Sequence, residues 1–136
     1  MGTISKVRYQ GALRNDLEHL ASGQIMQTDA PLDNNGLGQA FSPTDLLATS
    51  LASCALTVMG IRARQEGFDL EDCQATVDKV MASEPRRVAA VQVRIQLKAN
   101  CSEKMQRILE GIGRNCPVAK SLDPQLEQSF VFEWRD

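Results

Sequence analysis

The sequence predicts an α+β protein with antiparallel sheets, a single domain over residues 1–136, and three observations lead there. Short alternating segments stand at the start, middle and end of the chain, helical segments lie between them, and the stretch from Leu46 to Ile61 carries no charge on any face. Strands grouped apart from helices indicate segregated layers, not the regular strand-helix alternation of a doubly wound sheet. With 43% apolar and 24% charged residues the composition is globular, and 136 residues suffice for one core but not for two independent ones. A net charge of -2 supplies no positive field for a phosphate backbone, so nucleic acid is not an expected partner. The N-terminal segment has no apolar run of the kind a secretory signal needs, and a cytoplasmic protein is expected.

The elements follow in order. Val7, Tyr9 and Gly11 alternate with Lys6, Arg8 and Gln10, the period of a half-buried strand. A second extended piece, Leu17 to Ala21, meets a third, Gln24 to Thr28, across Ser22-Gly23 as a hairpin. From Asp29 to Phe41 the composition shifts to Pro, Asp, Asn and Gly, which makes a long loop. Ser42-Pro43-Thr44-Asp45 opens a helix, with Ser42 as cap and Pro43 in the first turn, and Gly67 closes it. A helix uncharged on all sides needs cover on all sides, and it is short and hydroxyl-dotted for a membrane span. No membrane association is expected, and a second copy of the chain is the expected source of the missing cover, giving an obligate homodimer. Strands over Glu71 to Ser83 and Arg87 to Lys98, turned at Glu84-Pro85-Arg86, form an antiparallel pair with one wet face. A second helix opens at Ser102 and ends near Arg114-Asn115, a short one runs from Pro117 to Leu122 with Cys116 as its cap, and Phe130, Phe132 and Trp134 alternate in a last strand.

Four cysteines carry most of the possible chemistry. In a cytoplasmic chain they are expected to be reduced, and with no CxxC pair and one histidine, His19, neither a metal nor a cofactor is expected. Cys54 sits within the apolar helix, where free cysteine commonly serves as a small hydrophobe. Cys116 has a helix-cap setting whose backbone N–H groups favour a thiolate. Brought together, the two form a nucleophile and a resolving partner, an arrangement that protects an oxidised cysteine from over-oxidation. A reactive thiolate also needs a cation, and Arg8, Arg14 and Arg114 are candidates, each also readable as an ordinary solvated charge. Cys73 and Cys101 read as bystanders, and His19 reads as structural. Phe41, Leu51 and Met59 are expected to supply an apolar lining.

The run Phe41-Ser42-Pro43-Thr44-Asp45-Leu46-Leu47-Ala48 leading to Cys54, then Gly67, then Asn115-Cys116-Pro117-Val118 with Ser121-Leu122 beyond, resembles the OsmC/Ohr superfamily of bacterial thiol peroxidases over nearly the whole chain. The resemblance implies an OsmC-like fold, an intertwined homodimer whose antiparallel sheets are built from both chains around two long central buried helices. It implies attack of Cys54 on an organic hydroperoxide, resolution by Cys116 as a disulfide, and regeneration by a dithiol reductant. Arg14 is the best match to the arginine that holds the thiolate in the family. Better characterised branches place a glutamate directly after the proline to buttress that arginine, whereas this chain has Thr44 there and an acid only at Asp45. One residue on a helix is a turn of about 100°, so Asp45 is a candidate site residue without being a direct replacement. In this respect the chain more nearly resembles a less characterised branch with a Ser-Pro-x-Asp/Glu-Leu-Leu helix start. The same fold without catalysis, binding a small apolar ligand or sensing redox state, is the alternative.

Overall fold

The computed structural model of the chain describes residues 2–136, which fall into two compact units, one up to Leu47 and one from Ala48 onward. In the first, strands β1 (Ser5–Gly11), β2 (Arg14–His19) and β3 (Ile25–Asp29) form an antiparallel sheet in the order β1-β2-β3. Val7, Leu17 and Met26 stand opposite one another in that register and so share a face. The second strand begins three residues earlier than the sequence pattern placed it. Gly11, Ala12 and Leu13 all take positive φ, so the chain reverses at once and Arg14 opens β2 instead of closing the first strand. The third strand correspondingly takes in Asp29, which pairs with Arg14. Beyond it the loop holds one short 3-10 turn, Leu32–Asn34.

Helix α1 (Pro43–Gln65) is the longest element. Its start is a reciprocal capping box: the Asp45 N–H donates to Ser42 Oγ at 3.0 Å, and the Ser42 N–H donates to Asp45 Oδ2 at 3.0 Å. Its end is a Schellman motif, in which Phe68 N–H donates to Ala63 O and Gly67 N–H to Arg64 O. Gly67 takes φ +88°, a conformation open to glycine at little cost.

In the second unit β4 (Gln74–Ala82), β5 (Arg87–Lys98) and β6 (Glu127–Arg135) form the sheet, with helices α2 (Glu103–Arg114) and α3 (Pro117–Ser121) between β5 and β6. Strands β4 and β5 are antiparallel, as the alternation predicts. The pairing of β5 with β6 is parallel, and this corrects the expectation of purely antiparallel sheet. The chain leaves β5 at Lys98, and β6 enters opposite Ala90 to end beside Lys98, so both strands run the same way after a helical crossover. On β5 Val91, Val93, Ile95 and Leu97 are buried while Gln92, Arg94 and Lys98 are exposed. Together with Ala48, Leu51, Ala52, Ala55 and Met59 of α1 and Leu109 of α2 they make the core. By length and composition α1 could cross a bilayer, but this packed face makes it a core helix. The uncharged helix is nevertheless covered on one side only: Ser53 and Thr57 are exposed and Ile61 is 52% exposed.

Candidate active site

Cys54 lies near the middle of α1, partly buried, and Cys116 is the buried N-cap residue of α3. The fold makes them neighbours: the Cys54 side chain acts on the Cys116 thiol, which lies 4.0 Å from the Leu51 carbonyl and donates to it. All four cysteines are free thiols.

Several local features place Cys116 there. Ser102 caps α2 by accepting the Met105 N–H at 3.1 Å, and at the far end Asn115 donates through its side chain to Gly111 O at 2.7 Å. Pro117 then starts α3 at its first position, where a missing N–H costs nothing. The last turns of α2 are anchored by Glu110, a buried carboxylate that accepts the Trp134 indole N–H at 2.8 Å and pairs with Arg107. Gly113 allows the close approach of α2 to α1, since a Cβ there would stand 2.8 Å from Met59 Sδ.

Burial pushes the Cys116 thiol above its ordinary range. The backbone N–H groups of Ala119 and Val118 act in the opposite direction and are outweighed, while the neighbouring Cys54 sulfur adds to the rise. The sequence-based expectation that the cap position favours a Cys116 thiolate is therefore corrected, because desolvation of a fully buried sulfur exceeds the pull of two amides. Burial likewise raises Cys73, just before β4, and Cys101, just before α2.

Of the three candidate arginines, Arg8 pairs with Glu18 at 2.9 Å on the exposed surface. Arg114 lies 3.8 Å from Glu110 and stacks over the Phe132 ring at 4.9 Å from its centroid. Arg14 is built into a cluster within the first unit. Its Nε and Nη2 donate to Asp29 Oδ1 and Oδ2 at 2.7 and 2.8 Å, and Nη2 also donates to Gln39 Oε1 at 3.0 Å. Asp29 Oδ2 accepts the Gln39 backbone N–H at 3.0 Å as well. Asp29 and Gln39 did not stand out in the sequence, and the carboxylate that holds Arg14 is Asp29. Asp45 stands at the helix cap described above. His19 ends β2, exposed, with Nδ1 2.7 Å from Ser22 Oγ.

The apolar lining also differs from expectation. Leu51 and Met59 are fully buried on the core side of α1 and line no open surface. Part of the accessible apolar surface of this helix lines an open groove of about 380 Å³ bounded by Leu56, Thr57, Gly60, Ile61, Leu70 and Cys73, among others. Among the described residues no three His, Cys, Asp or Glu side chains gather to hold a metal ion.

The Arg14 and Asp29 pair has a consequence in acid. The Arg14 guanidinium, hydrogen-bonded to Asp29, holds the Asp29 carboxyl below the usual carboxylate range, helped by the Gln39 amide. A carboxyl depressed only in the folded state stabilises the protein above the unfolded value, about pH 3.9, and loses that contribution as pH falls through the folded one. Thermal melts at one protein concentration from pH 6 down to pH 2.5 are expected to show this loss, and Asp29→Asn is expected to remove part of the acid-side slope. An unchanged slope in the variant would mean that the pair contributes nothing to stability.

Residues 36–129 match the OsmC-like protein family model, and the chain belongs to that family. It is similar, at 49% identity over 97% of this chain and 96% of the other and with a TM-score of 0.93, to a Psychrobacter arcticus protein provisionally described as an osmotic stress induced and detoxification response protein. The fold is shared with a Legionella pneumophila organic hydroperoxide resistance protein OsmC, also described as a predicted redox protein and regulator of sulfide bond formation. That likeness is 18% identity, TM-score 0.76, over 98% of this chain and 97% of that one. It is shared too with a Vibrio cholerae protein provisionally named for organic hydroperoxide resistance and carrying captopril in one of its active sites, at 15% identity and TM-score 0.72 over 97% and 94% of the two chains. No curated protein sequence matches.

Proposed function

We propose that the chain is a thiol-dependent peroxidase for organic hydroperoxides, with Cys54 as the peroxidatic and Cys116 as the resolving cysteine. The observation that carries this reading is that two free thiols are neighbours, one within α1 and the other at the N-cap of α3. The thiolate of Cys54 attacks the terminal oxygen of ROOH; the O–O bond breaks, ROH leaves after taking a proton, and Cys54 becomes a sulfenic acid. Cys116, kept protonated by its burial until that point, gives up its proton and attacks that sulfur as the thiolate; the S–O bond breaks, the departing hydroxide takes the proton and leaves as water, and a disulfide forms. A dithiol returns both cysteines to thiols by two exchange steps and is itself oxidised to a disulfide. Arg14 is assigned to the Cys54 thiolate as its cation, and Asp45 to the cap that fixes the entry of the Cys54 helix.

The working form in this reading is an intertwined homodimer in the cytoplasm, with two α1 helices at its centre. The support is unfinished burial: Leu47 and Ile61 on α1, and Val7, Tyr9 and Met26 on the first sheet, are apolar and exposed in the single chain. A crevice closed by apolar surface favours organic over hydrogen peroxide, since each Å² of alkyl tail removed from water contributes about 25 cal/mol.

Mass spectrometry after one equivalent of cumene hydroperoxide tests the assignment. The expected product has lost two hydrogens and yields a peptide linking Cys54 to Cys116. Thiols that stay free, together with a co-purified apolar ligand, would replace the peroxidase by a binding protein of the same fold.

A further inference from the structure

Helix α3, which Cys116 caps, is five residues long. A single turn gains few internal bonds for the residues it orders, so its place is set by what it is tied to. The last carbonyls of a helix have no partner within it. Ala119 O is one of these, since its helical donor would be residue 123 and α3 ends at Ser121. The Gln128 side-chain amide supplies the missing donor, reaching Ala119 O at 2.9 Å from a partly buried position on β6.

Gln128, Phe132 and Trp134 fall on one face of β6 by the period of a strand, and all three grip the chain around Cys116. Ahead of it, on the 12-residue helix α2, the Trp134 indole donates to Glu110 at 2.8 Å and the Phe132 ring lies under the Arg114 guanidinium. Behind it, Gln128 holds α3. The strand itself is firmly backed, with Gln128 opposite Val91 and Trp134 opposite Leu97, both fully buried on β5. The N–H of Ala119, whose carbonyl Gln128 binds, also acts on the Cys116 sulfur.

We infer that Gln128 is a positioning residue for the resolving step, its amide holding α3 so that the Cys116 sulfur stays in place to attack Cys54. The inference rests on the peroxidase reading with Cys116 as the resolving cysteine. Gln128 acts through Ala119. The step it serves joins the two sulfurs as the Cys54 sulfenic acid loses water. The competing reaction is with a second hydroperoxide, which gives an oxygen to the sulfenic acid and leaves as ROH, so that Cys54 becomes a sulfinic acid. A displaced Cys116 slows resolution and leaves more sulfenic acid to that competitor, while the first attack at Cys54 is unaffected.

Two measurements separate the steps. The rate constant for loss of the Cys54 thiol is read in single turnover with cumene hydroperoxide, and mass spectrometry over a peroxide titration divides the product between disulfide and Cys54 sulfinic acid. Each variant is first shown to be folded by its thermal melt. Gln128→Leu keeps the bulk and removes the donor. It is expected to lower the peroxide concentration that gives half sulfinic acid about 10-fold, the scale of a lost orientation, and to leave thiol loss within about 2-fold of wild type. In a Cys116→Ser background, where nothing resolves, the same change is expected to alter sulfinic acid formation less than about 2-fold. Gln128→Glu, ionised and without a donor, is expected to shift the product in the same direction and serves if the leucine variant does not fold. An unchanged division of product would overturn the inference, and so would equal slowing of both steps, which would make Gln128 a purely structural tie. If Cys116→Ser alone forms no more sulfinic acid than wild type, Cys116 is not the resolving cysteine, and it is the underlying reading that has failed.

Discussion

Replacing Cys54 by serine is expected to reduce consumption of cumene hydroperoxide by at least about 10³-fold, the scale on which removal of a nucleophile acts. The change keeps the side chain nearly the same size, so the α1 packing around Ala52 and Ala55 survives, but it replaces a polarisable, nucleophilic sulfur by a far less nucleophilic hydroxyl. Stopped-flow measurement with excess dithiol is the appropriate assay, because turnover then reports the first chemical step. Cys116 should remain a thiol in this variant after peroxide, which peptide mapping reads independently. Wild-type rates in the serine variant would move the reactive sulfur elsewhere and end the assignment of the Cys54 and Cys116 pair.

The largest effect on stability is expected at Leu51. Its side chain is fully buried among the α1 and β5 residues of the core, and its carbonyl receives the Cys116 thiol. Leu51→Ala removes apolar surface and leaves a cavity, together costing about 2–5 kcal/mol. The same substitution at Leu32, which is 76% exposed, is expected to cost less than about 1 kcal/mol. Denaturant titrations at a common protein concentration compare the two, that precaution being needed wherever subunits associate. Comparable losses at both positions would contradict the core described above.

Strand β5 was legible because Val91, Val93, Ile95 and Leu97 bury one face and polar residues occupy the other, and that alternation is a direct record of burial. The start and stop of α1 were legible for a similar reason: Ser42, Pro43 and Gly67 each answer a local backbone need. The direction of β6 was not, since Phe130, Phe132 and Trp134 alternate identically whichever way the strand runs. Only the path through α2 and α3 decides it. Asp29 was hidden by its setting, a segment whose composition reads as loop, although extending the β2 and β3 register outward from the turn reaches Arg14 opposite Asp29. For Cys116 the cap position was readable from Pro117, but the state of its thiol was not, because local amides compete with a burial that depends on the whole core.

The chain has one tryptophan, Trp134, and its indole is tethered through Glu110 to the helix that delivers Cys116. If the proposed disulfide between Cys54 and Cys116 forms, the shift of the N-cap beside that helix is expected to change the surroundings of the indole. Emission from the unlabelled protein before and after one equivalent of peroxide is then expected to differ, an optical handle that needs neither dye nor engineered probe.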